Sequence, residues 1–303
     1  MRSLFLILLV LTLKSVSFAE TLNPWMEKQY TTSINNLFKN MSPDGTRPGA
    51  VIASPSRQNP DYWFHWVRDA ALVMEVVSRL DQSTKVPKSI KAEIPMTFRN
   101  FVDFTHINQT LYSPVGLGEP KYYVDGRPYD GPWGRPQNDG PALRSLTLTR
   151  FAQKLLNEGE LHYVRRHLYN SDLPANTVIK RDLEYVSHHW REASFDLWEE
   201  VKGQHFYTKL VQRSALLEGA DIAERLNDTG AAQFYRAQAR GLDQSLKNHL
   251  ETGRPYIVEN LRRVEGIWYK HSGLDTATVL AYLHTQGSQY SWSLSDSFVA
   301  CYN

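Results

Sequence analysis

Hydrophobic residues recur with the period of an α-helix along most of this 303-residue chain, and the alternating pattern of β-strands is scarce. The periodic segments predict eight helices, at about 23–40, 67–82, 88–110, 139–157, 174–190, 205–226, 228–248 and 273–284. Two helix starts have a local cause: Pro141 falls near the first helical position after Asp139, and Asp228 offers a cap before an alanine-rich run. The chain is therefore expected to be all-α.

Three long segments without helical period precede every second predicted helix, at about 41–66, 111–138 and 190–204. Each is rich in tryptophan, tyrosine, arginine, aspartate and glycine. The carboxylates Asp69, Asp139 and Glu199 recur at similar intervals, one helical hairpin plus a loop apart. This repeat of architecture predicts a toroid of helical hairpins with a site at one end.

The composition of the chain limits the kinds of protein that it can be. The net charge of +2 is small and the basic residues are scattered, which argues against nucleic acid as a partner. A single cysteine, Cys301, excludes an intrachain disulfide, so stability has to come from packing. No linker divides the chain, and residues 20–303 are expected to form one domain.

The N-terminus predicts a secretory signal peptide. Met1, Arg2 and Ser3 precede an apolar run from Leu4 to Leu13, and small residues then precede a cleavage site after Ala19. The apolar run is too short to span a bilayer, and no later one is longer. We expect residues 1–19 to be removed and the protein to be secreted, without a membrane anchor.

The sequence DLWEEVKG at 196–203 places two adjacent carboxylates behind a tryptophan and an aspartate. Cleavage of a glycosidic bond needs one carboxylic acid that protonates the leaving oxygen and a second carboxylate across the sugar. Glu199 and Glu200 cannot be that opposed pair, because neighbouring side chains diverge on both helices and strands. An acidic helix start is the alternative interpretation of the same residues.

The first two loops also carry groups that suit a sugar. Arg68 beside Asp69 offers a planar donor fork and a carboxylate near Tyr62 and Trp66, although a simple structural ion pair is the alternative. The second loop is dense in glycine between residues 116 and 141, which lets backbone and ligand approach closely.

Together, these three segments resemble the glucoamylases, glycoside hydrolase family 15, in order and spacing. The resemblance runs from about residue 24 to 285 and includes VQRSALLEG at 211–219. It implies an (α/α)6 barrel of six inner and six outer helices. It also implies an inverting exo-hydrolase that releases glucose from non-reducing ends of α-1,4-glucans such as starch, glycogen or maltooligosaccharides, with slower α-1,6 cleavage.

The resemblance also assigns roles. It implies that Glu199 is the general acid, that Glu200 contacts the sugar, that Trp198 lines the pocket, and that Asp196 acts in catalysis as an orienting or electrostatic residue. A closed pocket beside Trp198 would also desolvate Glu199, and desolvation favours the protonated form of a carboxylic acid.

The remaining roles belong to residues in or next to the first two loops. The resemblance implies that Arg68 and Asp69 grip the hydroxyls of the terminal glucose. It places Tyr62, Trp66 and Trp133 at the aromatic positions of the first subsites. It implies no cofactor.

The chain departs from the family pattern in two places. Residues 193–195 read Ala-Ser-Phe where many members have Thr-Gly-Tyr. The segment that carries the family's general base, and an arginine in the loop before it, are not found. The resemblance fades near His284, so about eight of the twelve barrel helices are expected.

Three explanations stand beside one another. The chain is a truncated or frameshifted product, which is our first expectation. Alternatively it is a complete short enzyme in which Glu259 or Glu265 has become the base. In the third, it is a hydrolytically inactive sugar-binding module.

Other site classes have little support in the sequence. His188 and His189, with Glu192 beyond, lack the spacing with which a helix binds a metal, and no metal site is expected. No glycine-rich stretch has the context of a nucleotide site. His65 near Asp69 suggests a proton shuttle, but a structural loop histidine is the preferred interpretation.

Overall fold

The computed structural model describes residues 23–287 and 289–292. The predicted signal peptide and Cys301 lie outside these residues. The helices are α1 (23–39), α2 (Val67–Gln82), α3 (Lys88–Thr110), α4 (Asp139–Asn157), α5 (Leu161–Tyr163), α6 (Val178–His189), α7 (Phe206–Arg225), α8 (Thr229–Lys247) and α9 (Ala277–Thr285). All eight predicted helices are confirmed. The short α5, which runs into a π-helical turn at Val164–Leu168, was not predicted.

The helices pack as two rows. Helices α2, α4, α7 and α9 form an inner row, each packed against the next, while α3, α6 and α8 pack behind them. In the described part of the chain these rows do not close into a barrel. The loops that precede α2, α4 and α7 meet at one end of the inner row, as the toroid prediction required.

The two central helices, α4 and α7, are buried on nearly all sides. They include polar side chains that must find partners inside the protein. Arg144 of α4 donates from Nε and Nη2 to the two carboxylate oxygens of Asp182 on α6, at 2.8 and 2.7 Å. This buried ion pair joins the inner row to the outer row.

Five short strands, which the sequence pattern did not predict, shape the loops. Strand β1 (His65–Trp66) pairs antiparallel with β2 (Lys121–Tyr122). Strands β3 (Ser194–Phe195), β4 (Val201–His205) and β5 (Asn260–Gly266) form an antiparallel sheet in that order. The first four of these strands lie in or at the end of segments predicted to be irregular, 41–66, 111–138 and 190–204. Runs of two to five residues are too short to show a reliable alternation.

No helix among the described residues is long and apolar enough to cross a membrane.

Three buried histidines make stability depend on pH. Burial lowers the pKa of His65 to about 3, and those of His205 and His249 to about 4. As pH falls below 6.5, the unfolded chain binds protons on these rings and the folded chain does not. The stability that the three neutral rings contribute is therefore complete above pH 6.5 and is lost toward pH 3–4.

We expect the free energy of unfolding to fall by about 1 kcal/mol per pH unit for each histidine over this window. The variant His65→Asn keeps an acceptor for the amide of Val51. Its free energy of unfolding should depend on pH less steeply than that of the wild type, by that amount per pH unit. Urea unfolding from pH 7.5 to 4.5 measures it, with the exposed His106→Asn as control. An unchanged slope in His65→Asn would contradict the assignment.

Candidate functional site

Glu199 lies in the turn that joins β3 to β4, so the alternative of an acidic helix start is wrong. Asp196 holds this turn: its Oδ1 accepts the amides of Glu200 and Val201 at 2.7 and 3.2 Å. Burial raises the pKa of Asp196, against the effect of these hydrogen bonds. The backbone of Glu199 has φ +63°, a left-handed conformation that is uncommon outside glycine and is often found at functional sites.

One oxygen of Glu199 is surrounded by donors from the two other loops. Its Oε1 accepts Nε1–H of Trp66 at 2.9 Å, Nε1–H of Trp133 at 3.0 Å and Nε2–H of Gln137 at 2.9 Å. Within the described residues, Oε2 has no hydrogen-bond partner, and the side chain is 22% exposed. A protonated Glu199 must therefore hold its proton on Oε2, because all three groups at Oε1 are donors.

Arg68 connects Glu199 to α4. Its Nη1 donates to Gln137 Oε1 at 2.8 Å and to Asp139 Oδ2 at 3.2 Å, and its Nη2 lies 3.6 Å from Glu199 Oε1. Asp69 is 3.7 Å from Arg68 Nε and stays half exposed. Burial, together with Glu199 and Asp139, raises the pKa of Asp69 against the attraction of Arg68.

Glu200 points to a different set of partners. Its Oε2 lies 2.8 Å from Lys270 Nζ, which also lies 2.6 Å from Asp275 Oδ2. Asp275 accepts the indole N–H of Trp198 at 2.8 Å. Despite its partial burial, Asp275 has a lowered pKa because of the Lys270 ammonium. Trp198 is thus held by a hydrogen bond, stays 41% exposed and lines a cavity of about 410 Å³.

The predicted aromatic residues line the other side of Glu199. Trp66 contacts Trp133 and Tyr62 edge to face, with centroids 5.7 and 6.0 Å apart. Tyr62 is exposed, and such a ring can stack on the apolar face of a sugar. The structure therefore brings every predicted site residue to one end of the inner row.

Three residues of this site escaped the sequence analysis: Gln137, Lys270 and Asp275. Gln137 lies in the glycine-rich second loop, two residues before Asp139, and this closeness is the one signal that marked it. Lys270 and Asp275 belong to a stretch with no motif, and only the pairing of β4 with β5 brings it to Glu200.

The two carboxylates considered as a replacement base are poorly placed for that role. Glu259 is 2% exposed, and its Oε1 accepts the amide of Tyr207 at 3.2 Å. Burial raises its pKa well above the ordinary value, whereas a base must be ionised and reach a water molecule. Glu265 is exposed on β5 and faces Lys202 at 3.8 Å.

The histidines are engaged elsewhere. His65 Nδ1 accepts the amide of Val51 at 3.1 Å, and its ring packs 4.7 Å from Phe104, which supports a structural loop histidine. His189 pairs with Glu192 at 3.0 Å on the exposed surface. Among the described residues, no group of three or more potential ligands could hold a metal ion.

Gly266 secures the contact between β5 and the Glu199 turn. Its φ is +106°, and an added Cβ would collide with the carbonyl of Glu200. Gly266→Ala is expected to lower the free energy of unfolding by about 2 kcal/mol more than Gly253→Ala, which has a similar φ of +74° in open space. Urea unfolding of both variants tests this, and equal losses would refute it.

Comparison with known proteins identifies the family. Residues 27–293 match the model of glycosyl hydrolases family 15. The chain is 38% identical to a glucoamylase of Blastobotrys adeninivorans over 88% of this chain and 43% of that protein, and 34% identical to a probable glucoamylase of Schizosaccharomyces pombe over 88% and 57%. It therefore spans about half the length of these relatives.

Comparison with solved structures gives the same family. A glucoamylase from Saccharomycopsis fibuligera superposes with a TM-score of 0.73 at 33% identity, covering 87% of this chain and 57% of that one. A family 15 glucoamylase from Hypocrea jecorina superposes with a TM-score of 0.75 at 33% identity, covering 86% and 43%. The described helices are thus part of an (α/α)6 fold, as predicted. The chain belongs to glycosyl hydrolases family 15.

Proposed function

We propose that this chain acts as an exo-glycoside hydrolase that releases glucose from the non-reducing ends of α-1,4-glucans with inversion, and that Glu199 is the general acid. The observation that carries this proposal is the asymmetry of the Glu199 carboxyl. Three N–H donors engage Oε1, so only the open Oε2 can carry the proton that an acid transfers.

The chemical step follows from that asymmetry. Glu199 Oε2–H gives its proton to the glycosidic oxygen as the bond from that oxygen to the anomeric carbon breaks. The carboxylate that remains keeps three donors on Oε1 and lies near the Arg68 guanidinium, so its new charge is stabilised without reorganisation. Inversion also requires a water molecule that attacks the anomeric carbon from the opposite face and a second carboxylate that takes its proton. Among the described residues, neither Glu259 nor Glu265 is placed for that second role.

The surrounding residues suit a terminal sugar. Arg68 and the half-exposed Asp69 offer donors and acceptors for hydroxyl groups, and Tyr62, Trp66 and Trp133 offer ring surfaces. We assign Asp196 to orienting the turn that carries Glu199, and Glu200 and Trp198 to contacts with the next sugar. The choice of α-1,4-glucans rests on the relatives, which are named glucoamylases. With the signal peptide predicted at 1–19, we propose that this activity is secreted.

Sugar binding without hydrolysis is the second candidate function. It is favoured by the positions of Glu259 and Glu265, since the first is buried and the second faces Lys202. Neither of these two carboxylates is therefore placed to take the proton of an attacking water.

One experiment separates the two functions. The purified chain is incubated with maltoheptaose, and the released sugar is followed by proton NMR, which resolves the two anomers of glucose. Initial release of β-glucose, abolished in Glu199→Gln, supports the inverting hydrolase. Binding of maltoheptaose by calorimetry without any release establishes the sugar-binding module, and release of α-glucose refutes inversion.

A further inference from the structure

Lys121 lies inside a cage of four aromatic rings beside the site. It pairs with Trp66 across β1 and β2 and is only 3% exposed. Its Nζ lies 3.7 Å from the ring centroid of Trp133, 4.1 Å from those of Phe64 and Tyr129, and 4.7 Å from that of Trp66. No acceptor among the described residues bonds this ammonium.

Two walls of this cage are the indoles that bond the proposed general acid. Trp66 and Trp133 turn their faces to Lys121 and their N–H groups to Glu199 Oε1. The orientation of one ring thus sets both contacts. We propose that Lys121 is a positioning residue: its ammonium fixes the two indoles that hold Glu199 Oε1, and thereby keeps the reactive proton on Oε2.

Cation–π attraction gives the mechanism. A cation is drawn to the negative face of an aromatic ring, and four faces that converge on one ammonium define a single position for each ring. The rings also meet one another edge to face, with Phe64 and Tyr129 centroids 5.3 Å apart and Tyr129 and Trp133 centroids 6.0 Å apart. An apolar side chain of similar length would fill this space, but it would not attract the ring faces.

The burial of Lys121 supports the same conclusion. Desolvation lowers the pKa of this ammonium, opposed by the nearby carboxylates Glu199 and Asp61. A buried cation without a bonded anion is unfavourable unless the surrounding groups compensate it, and here the four rings do so.

The primary test is independent of hydrolysis. The chain has eight tryptophans, so ¹⁵N-indole labelling gives a sparse NMR spectrum in which Trp→Phe variants assign Trp66 and Trp133. In Lys121→Met, the indole N–H groups of both residues should exchange with solvent at least about tenfold faster, the effect of losing one moderate cation–π contact. Lys121→Arg keeps the charge and should retain most of the protection.

Trp190 serves as the internal control, because its indole donates to Gln238 Oε1 at 3.0 Å, away from the cage. Its signal should stay unchanged in every variant. Unchanged exchange at Trp66 and Trp133 in a Lys121→Met chain with a native Trp190 signal overturns the proposal. If Lys121→Met does not fold, Lys121→Gln tests the same loss of charge with a polar side chain.

A second, kinetic test depends on the proposed function. For maltoheptaose, Lys121→Met should lower kcat about tenfold with KM changed by less than about twofold, since the lost contacts act on proton transfer and not on sugar binding. Lys121→Arg should recover most of kcat. A rise in KM alone contradicts a positioning role. If the wild-type chain releases no glucose, the hydrolase proposal fails while the indole exchange still decides the role of Lys121.

Discussion

Replacing Glu199 with glutamine is expected to lower kcat for glucose release from maltoheptaose by about 10²- to 10⁴-fold, the usual contribution of a general acid. The amide has nearly the same shape, and its oxygen can still accept the bonds from Trp66, Trp133 and Gln137. It has no acidic proton for the glycosidic oxygen, so KM should change much less than kcat.

Two comparisons isolate the acid function. Glu192→Gln removes an exposed carboxylate that pairs with His189 and should leave turnover unchanged. Glucosyl fluoride has a leaving group that departs without a proton, so Glu199→Gln should lose far less activity on this substrate than on maltoheptaose. Equal losses on both substrates would mean that Glu199 does not act as an acid.

Removing one partner of the buried pair between Arg144 and Asp182 should destabilise the fold strongly. Asp182→Leu leaves the Arg144 guanidinium buried without its counter-charge, and such a change typically lowers the free energy of unfolding by about 3–5 kcal/mol. Urea unfolding at neutral pH measures the loss. Arg144→Met should cost a similar amount, because it leaves the Asp182 carboxylate uncompensated.

The double variant Arg144→Met/Asp182→Leu provides the control. With both charges replaced by apolar side chains of comparable size, most of the lost stability should return, so the two single effects are strongly non-additive. Additive losses would show that packing, and not the uncompensated charge, causes the destabilisation.

The helices could be predicted because their burial follows the helical period. In α8, the buried positions Ala232, Tyr235, Ala239, Leu242 and Leu246 recur every three or four residues, and Asp228 caps the start by accepting the amide of Ala231. The strands could not be predicted. Strand β1 has two residues and is defined only by its partner β2, which is more than fifty residues away along the chain.

The site was also predictable only where its signal is local in the sequence. Residues next to one another in sequence, such as Arg68 and Asp69 or Trp198 and Glu199, mark a motif that can be recognised. Gln137 contacts Glu199 and Lys121 contacts Phe64 and Trp66, all of them residues of other loops, and no local pattern records those contacts. Whether two carboxylates face each other across a sugar likewise depends on the tertiary fold. The sequence alone therefore suggested Glu259 and Glu265 as bases but could not show how buried or exposed they are.

The three donors on Glu199 Oε1 come from residues that are 133, 66 and 62 positions away along the chain. Contacts of this sequence separation form only after the intervening helices have docked, because closing such large loops is entropically unfavourable. The hydrogen bonds and the orientation of this carboxyl are therefore set by folding, and a shorter piece that lacks one of the three loops cannot form them all. The geometry around Glu199 is thus a late and global outcome of the folding of this chain.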